Sequence, residues 1–255
     1  MTNLVFLSPA LPAELLSYIL NHHVYPTTLI ICSSKSEFLE SIVQDIRQQP
    51  NESTDGEQSH HYDPKVTSQR IDKEDTRVIN QEVLSSPLYQ VATSRHIRVV
   101  YVPTVTHLRA YLSVFSPDDS HVPAPPPLPP PTSGAAGAVS DTPQQHIILY
   151  GFLELHRDTS EWSVQGLSNT TSALVELTHR LSWQTLLVEP RHGPHSSGTS
   201  PLDEILRETV PILSGGVRRL GLHSEDGAWT GRTVEIGRVL SRWFSFQKAQ
   251  WDRGE

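Results

Sequence analysis

Short runs of apolar, often β-branched residues alternate along this chain with segments whose apolar residues recur every three or four positions. The runs are typical of buried strands, and the recurring spacing is typical of amphipathic helices. The predicted strands are Leu4–Leu7, Thr27–Cys32, Ile97–Val102, Ile147–Leu153, Thr185–Val188 and Val217–Leu222. The predicted helical segments are Pro12–His22, Phe38–Ile46, Val78–Val91, Leu108–Phe115, Thr159–Leu181 and Leu202–Leu213. This alternation predicts an α/β fold in which helices flank a mostly parallel central sheet.

Two segments fall outside this pattern. Residues 48–80 are polar and poor in apolar residues, which predicts a disordered segment or a surface insertion. Residues 116–144 contain two proline runs and a stretch of small residues, which favours a stiff linker or insertion. The remaining chain is long enough to bury one substantial core. We therefore expect a single domain over residues 1–255 that carries two insertions.

The tail from Thr233 to Phe246 fits two kinds of element. Alternate residues in it are apolar, which suits a strand or a bent hairpin, while Ile236, Val239 and Leu240 have helical spacing. Glycines 231 and 237 would weaken a helix. The sequence therefore favours a strand.

Charge and cysteine content limit the classes of function. The chain has 20 basic and 28 acidic residues, a formal charge of −8, so bulk charge gives no nucleic-acid signature. Residues 217–248 are nevertheless locally basic. Cys32 is the single cysteine, which permits no internal disulfide and favours a reducing compartment. With no signal peptide or membrane-length apolar stretch, we expect a soluble intracellular protein that does not contact a membrane.

The turn after the first predicted strand lacks a phosphate-binding loop. It reads Ser8-Pro9-Ala10-Leu11-Pro12, and neither nucleotide-binding glycine motif occurs at a strand-to-helix turn. Two prolines and no glycine cannot wrap a phosphate with backbone N–H groups. We therefore expect no nucleotide cofactor, no metal and no enzymatic activity. An enzyme remains as an alternative class, with polar candidates at strand ends: Glu154, His156, Asp158, Glu189 and His192.

Two predicted loops carry cations at strand ends. Arg157 follows the predicted strand Ile147–Leu153, and Arg191 and His192 begin a Gly/Ser-rich loop after Thr185–Val188. In a parallel sheet both loops emerge at the carboxyl edge, where such folds bind ligands. These residues are therefore candidates for binding a phosphate backbone.

Cations and aromatic residues interleave in the C-terminal tail. The cations Arg238, Arg242 and Lys248 are candidates for binding single-stranded nucleic acid, which is held by stacking and phosphate neutralisation. The same residue types dominate protein interfaces. The candidate interface residues are Trp229, Trp243, Phe244 and Phe246. A third interpretation, that the aromatic residues belong to the core, stays open.

Taken together, these features resemble the RecA-like fold of recombinase paralogues, especially the small degenerate subunits of Shu-type accessory complexes. The likeness rests on Ile97–Thr104 with the helix after it, Ile147–Glu154, Leu186–Glu189 and Val210–Leu213 before Trp229. The resemblance implies a nuclear, non-catalytic pseudo-ATPase of the P-loop NTPase fold that serves DNA repair by homologous recombination. It would bind homologous RecA-like subunits, and DNA through the two loops.

The small RecA-like subunits of Elongator are similar and form the alternative. They also lack ATPase loops and assemble into a ring that handles tRNA in wobble-uridine modification. This resemblance would imply a cytoplasmic assembly subunit whose nucleic-acid partner is tRNA. Both interpretations predict a chain that works by binding partners.

Overall fold

A computed structural model describes residues 4–22, 25–48, 88–125, 145–191, 200–212 and 232–252. None of the helices it describes is long and apolar enough to cross a membrane. The predicted strand Val217–Leu222 and most of the segment 48–80 lie outside the described residues, as do residues 126–144 of the proline-rich segment. Residues 116–125 of that segment are described and contain a 3₁₀ turn, Pro117–Asp119.

A parallel sheet forms the centre of the described structure. Its strands are β1 (Leu4–Leu7), β2 (Thr27–Ile31), β3 (Ile97–Tyr101), β4 (His146–Tyr150), β5 (Gln184–Val188) and β8 (Ser245–Gln247). They lie in the order β3-β2-β4-β5-β1-β8, and every neighbouring pair is parallel. A separate antiparallel pair joins β6 (Thr209–Pro211) to β7 (Thr233–Glu235). The predicted fold class, a mostly parallel sheet flanked by helices, is confirmed.

Helices cover both faces of this sheet. They are α1 (Pro12–His22), α2 (Lys35–Gln48), α3 (Leu88–Ser94), α4 (Val105–Val114), α5 (Phe152–His156), α6 (Val164–Leu181), α7 (Pro201–Arg207) and α8 (Ile236–Leu240). The chain moves along the sheet in one direction from β1 to β3 and in the other from β3 to β5 and β8. Because parallel crossovers are right-handed, this reversal places α1 and α2 on one face and α4, α5 and α6 on the other.

The core has two layers, one on each face of the sheet. Phe6 and Leu149 belong to the layer under α4, α6 and α8, whereas Val5 and Ile148 belong to the layer under α1 and α2. Successive strand residues therefore enter opposite layers, as the period of two requires. Strands buried on both faces carry nearly continuous apolar runs, which is why the sequence identified them.

The strand predicted for the tail is present at its two ends, as β7 and β8, and wrong between them. Between β7 and β8 the chain forms the helical turn α8, which buries Ile236, Val239 and Leu240. Gly237 lowers helix propensity, but a Cβ at this position would lie 3.0 Å from the carbonyl oxygen of Leu206. Close packing of α8 on α7 therefore outweighs propensity.

Three predicted boundaries also shift. The strand predicted to reach Leu153 ends at Tyr150, and α5 begins two residues later. The long helix predicted from Thr159 begins at Val164, because Ser163 caps it by accepting a hydrogen bond from the Gly166 N–H. The helix predicted over Leu202–Leu213 ends at Arg207, and its last part forms β6 instead.

Candidate functional site

The turn between β1 and α1 lies at the carboxyl edge of the sheet, where parallel α/β folds commonly bind ligands. Ser8, Ala10 and Leu11 supply its backbone N–H groups, since Pro9 and Pro12 have none. The Ser8 N–H donates to the Gln247 carbonyl at 3.1 Å, and the Ala10 N–H donates to the Glu189 carbonyl at 3.0 Å. The Leu11 N–H donates to Glu14 Oε2 at 2.8 Å. The N–H groups of the turn itself, from Ser8 to Leu11, are therefore all bonded within the protein.

The C-terminal segment covers the outside of this turn. Trp251 Nε1 donates to the carbonyls of Ser8 at 3.3 Å and Pro9 at 3.0 Å, and the Ala249 N–H donates to Ser8 Oγ at 2.9 Å. The Trp251 ring also packs edge-on against Tyr18 in α1, with 5.3 Å between ring centroids. The end of the chain thus fills the space beside the turn.

The inner side of the turn is tied to β4 and β5. The hydroxyl of Tyr150 donates to the Ala10 carbonyl at 3.0 Å, and the Arg191 N–H donates to the same carbonyl at 3.1 Å. The Arg191 guanidinium forms an ion pair with Glu14, and both side chains are largely buried. Burial raises the pKa of Glu14, and Arg191 opposes this rise. Asp45 of α2 is near this pair, and its burial together with the charge of Glu14 raises the pKa of Asp45 to about 6.

Glu189, directly after β5, is the most deeply buried carboxyl group at this edge among the described residues. Its side chain accepts hydrogen bonds from the N–H groups of Leu153 at 2.8 Å and Glu154 at 3.3 Å, so it caps the first turn of α5. Burial raises its pKa to about 8, although these two hydrogen bonds lower it. Glu189 therefore fixes α5 against the sheet.

Arg157, a predicted nucleic-acid-binding residue, is held by carboxylates. Its guanidinium forms two hydrogen bonds with Glu208, at 2.6 and 2.5 Å, and an ion pair with Glu154 at 3.2 Å. It also lies over the Trp162 ring, 5.1 Å from the centroid. A phosphate would have to displace two acids to reach this cation. A phosphate would likewise have to displace Glu14 to reach Arg191. His192 lies outside the described residues.

Of the polar residues proposed for an alternative enzyme, Glu189 and His156 contact opposite ends of α5, and His192 lies outside the described residues. Glu189 bonds the start of α5, whereas His156 lies at its end, where Nδ1 donates to the Phe152 carbonyl and Nε2 contacts Thr170 Oγ1 at 2.9 Å. Burial lowers the pKa of His156. Arg109 donates to the same Thr170 hydroxyl at 2.9 Å, so this network joins α4, α5 and α6. Within the described ranges, no three His, Cys, Asp or Glu side chains form a metal-binding group.

The aromatic residues of the tail separate into core and surface. Phe244 is buried in the core, and Phe246 packs edge-on against Phe6 with 6.0 Å between ring centroids. Trp243 is partly buried and forms one wall of a surface groove. Trp229 lies outside the described residues. Of the predicted interface residues described, Trp243 is the one that lines a surface groove.

The groove beside Trp243 was not identified from the sequence. Its volume is about 450 Å³, and its lining residues are Ser172, Val175, Glu176, His179, Arg180 and Trp243. Five of these lie on α6 at spacings of three and four, a stripe on one side of the helix. That spacing was a usable signal, but nothing in the sequence showed that the tail would pack beside it.

The remaining predicted cations are exposed. Arg242 lies over the Trp243 ring, 5.4 Å from the centroid, and Arg238 is one helical turn earlier. Lys248 follows β8 at the carboxyl edge. No ion pair joins these three side chains to any residue that the structure describes.

Comparison with known proteins gives little further information. No family model matches the chain, and no curated protein matches it. A solved DnaB-like replicative helicase, described with its interactions with primase, aligns over 78% of this chain and 44% of its own. The TM-score is 0.32 at 10% identity, and a likeness this weak supports no argument about fold or function.

Proposed function

We propose that this chain is a non-catalytic RecA-like subunit that binds homologous partner subunits in a DNA-repair accessory complex. The observation that carries the proposal is the closed β1–α1 turn. Its N–H groups are bonded to Gln247, Glu189 and Glu14, and Trp251 covers its carbonyls. A nucleotide would have to break these bonds without a glycine loop to replace them.

The open edge of the sheet supports binding to another protein chain. β3 is an edge strand. Just after it, the Val102 N–H donates to the Ile31 carbonyl of β2 at 2.8 Å, so this N–H points into the sheet. Because parallel strands alternate their bonding direction, the N–H groups of Val99 and Tyr101 point outward. No backbone partner for them occurs among the described residues, and Val99 is 43% exposed. An unpaired strand edge is a template for an added strand.

Homologous recombination is the specific role that the sequence resemblance implies, and the Elongator role is the alternative. Both would use partner subunits, so the identity of the partners separates them. Because Arg157 and Arg191 are ion-paired, a contact with single-stranded DNA or tRNA would depend on exposed cations such as Arg238 and Lys248. The proposal itself concerns protein partners and a nuclear subunit.

Affinity purification of the tagged endogenous protein tests the partners. We expect recombinase paralogues to co-purify, and Val99→Lys to reduce their recovery at least fivefold by charging the strand edge. Val114→Lys is the matched control, since Val114 is 73% exposed on α4 and not on the strand edge. Recovery of tRNA-modification subunits would select the alternative, and equal recovery with both variants would exclude the β3 edge.

Calorimetric titration with Mg-ATP tests the closed turn. We expect no binding at millimolar nucleotide. Saturable ATP binding, or ATP turnover by the pure protein that a change at Ser8 or Glu14 removes, would contradict the proposal.

A further inference from the structure

The groove beside Trp243 lies away from the closed edge of the sheet. Helix α6 follows α5 at the carboxyl edge and runs to Leu181, just before the amino end of β5. The lining residues Ser172 to Arg180 occupy its second half, and Trp243 immediately precedes the buried Phe244 and strand β8. The groove is therefore a separate surface from the site that a nucleotide would use.

The groove combines an apolar wall with hydrogen-bonding groups. Val175 and the Trp243 ring both pack against the core with one side and remain partly exposed on the other. Ser172 and His179 are exposed on the same stripe of α6. A volume of about 450 Å³ accommodates one or two side chains of a ligand. Tryptophan and arginine together are typical of the residues that contribute most to protein–protein binding energy.

Within the groove one acid and one arginine offset each other, and Arg242 adds a cation beside the Trp243 wall. Glu176, the acid in its lining, forms an ion pair with Arg180 at 3.4 Å. Arg242 then lies over the Trp243 ring, and Arg238 is exposed one turn away, without an ion pair to any described residue. The chain as a whole carries −8. This local excess of positive charge is complementary to carboxylates rather than to another cationic surface.

A protein segment fits these features better than a nucleic acid. Single strands are held along a track of cations with successive aromatic platforms. Here one tryptophan occurs among the lining residues, and Arg242 occupies one face of its ring. A short apolar groove with cations at its rim instead matches one apolar anchor flanked by acids.

We infer that the Trp243 groove binds an acidic segment of a partner protein, with one apolar or aromatic side chain inserted between Trp243 and Val175. The flanking carboxylates pair with Arg242 and Arg238. This inference rests on the proposed function because it names the chemistry of a partner. Its test is independent of those of the proposed function, because the groove contains neither the β1–α1 turn nor the β3 edge.

Selection from a displayed library of random 12-residue peptides tests the groove. The target is the full chain, and the enriched peptides are then synthesised with a fluorescent label and measured by anisotropy. We expect the enriched sequences to carry Asp and Glu around one Leu, Phe or Trp. Enrichment of basic or uncharged peptides, or no enrichment over an unrelated acidic protein, would overturn the inference.

Three variants locate the binding. Arg242→Glu should weaken binding of the selected peptide at least tenfold, and Ser172→Glu, an exposed helical position that a longer acid tolerates, should weaken it at least fivefold. Trp243→Ala should abolish it. Arg47→Glu is the matched control, an exposed arginine of α2 on the other face of the sheet, and should change affinity less than twofold.

Circular dichroism melting of each variant identifies any loss of fold, and Ser172→Glu keeps the test valid if Trp243→Ala unfolds. Affinity unchanged by both Arg242→Glu and Ser172→Glu would place the peptide elsewhere and refute the inference. A labelled 20-residue oligothymidylate is the competing probe. If it binds and the same two variants abolish its binding, the groove is a nucleic-acid site instead.

Discussion

The carboxyl edge of the sheet and the Trp243 groove use the same residue types in opposite ways. At the carboxyl edge, Arg191 and Arg157 are bonded to Glu14 and Glu208. Beside the groove, Arg242 is exposed, as is Arg238 one helical turn earlier in the chain, and neither has an acidic partner among the described residues. At the carboxyl edge the arginines stabilise the fold through ion pairs, whereas Arg242 beside the groove is available to a ligand.

The two tryptophans show the same contrast. Trp251 donates its indole N–H to two carbonyls of the β1–α1 turn and packs against Tyr18. Trp243 packs one side against the core and lines a groove with the other. Motif reading alone treats both as parts of one aromatic tail. Their contacts indicate that Trp251 stabilises the fold and that Trp243 is suited to binding.

The largest expected difference in stability is between alanine substitutions at two glycines, one at the α5–α6 junction and one in α8. A Cβ on Gly166, at the α5–α6 junction, would lie 2.1 Å from the Glu161 carbonyl oxygen, so the backbone must move. We expect Gly166→Ala to lower the free energy of unfolding by about 3 kcal/mol or more. The matched change Gly237→Ala meets Leu206 at 3.0 Å and gains helix propensity, so we expect a loss within about 1 kcal/mol.

Urea denaturation followed by circular dichroism measures both variants. Equal losses would show that the two junctions tolerate a methyl group equally and would remove this contrast. Loss of cooperativity in Gly166→Ala alone would extend it, because Gly166 also accepts a hydrogen bond from Arg109 of α4 at 2.9 Å.

The buried ion pair should give the next largest effect. In Arg191→Ala, the largely buried carboxyl group of Glu14 loses the cation that opposes the rise in its pKa. Breaking such a pair costs about 3 kcal/mol when fully buried, and we expect about 2 kcal/mol here because both side chains keep some exposure. Adding Glu14→Gln to this variant should recover about half the loss. No recovery would mean that Arg191 acts through packing rather than through charge.

The sequence predicted the sheet well because buried parallel strands are nearly continuous apolar runs. Thr27 to Ile31 and Ile147 to Tyr150 needed no other information. The middle of the tail was predicted wrongly for a physical reason. Gly237 has low helix propensity wherever it occurs, but its advantage, close approach to Leu206, depends on a neighbour 31 positions earlier that the local pattern does not reveal.

The candidate site was less predictable than the fold. The absence of a glycine loop was readable at Ser8 to Pro12, and it directed attention to whether this turn can bind a phosphate. That Gln247 and Trp251 would bond this turn was not readable, because these partners lie more than 230 positions away, whereas the bond from Leu11 to Glu14 is local. Arg157 was chosen for its place after a strand, and its acidic partner Glu208 belongs to a different element.

The protonation of Glu189 should make the carboxyl edge sensitive to pH. Its pKa is raised to about 8, first by burial and further by Glu154, with Arg157 opposing the rise. The folded chain therefore keeps a proton that the unfolded chain, with an ordinary carboxyl pKa near 4.5, releases. Stability is highest below about pH 4.5 for this group and falls by up to about 1.4 kcal/mol per pH unit until about pH 8.

Glu189→Gln tests this pH dependence. The variant loses one acceptor at the start of α5, so it should be less stable than the parent at pH 5. The parent's disadvantage from ionisation grows with pH, so the gap should narrow or reverse by pH 8. Urea melts at pH 5, 6, 7 and 8 measure the difference. Parallel stability curves for the two proteins would show that Glu189 is ionised in the folded chain at all four values.

The smallest expected effect is that of Arg242→Ala on stability, and it bears most directly on the contrast between the regions. Arg242 is exposed, and its described contact is the Trp243 ring 5.4 Å away. An exposed cation–π contact is worth about 0.5 kcal/mol, so the free energy of unfolding should fall by no more than that. The same measurement on Arg191→Ala gives the comparison. If Arg242→Ala cost as much as Arg191→Ala, the groove arginine would be a structural residue, and its availability to an acidic ligand would no longer follow.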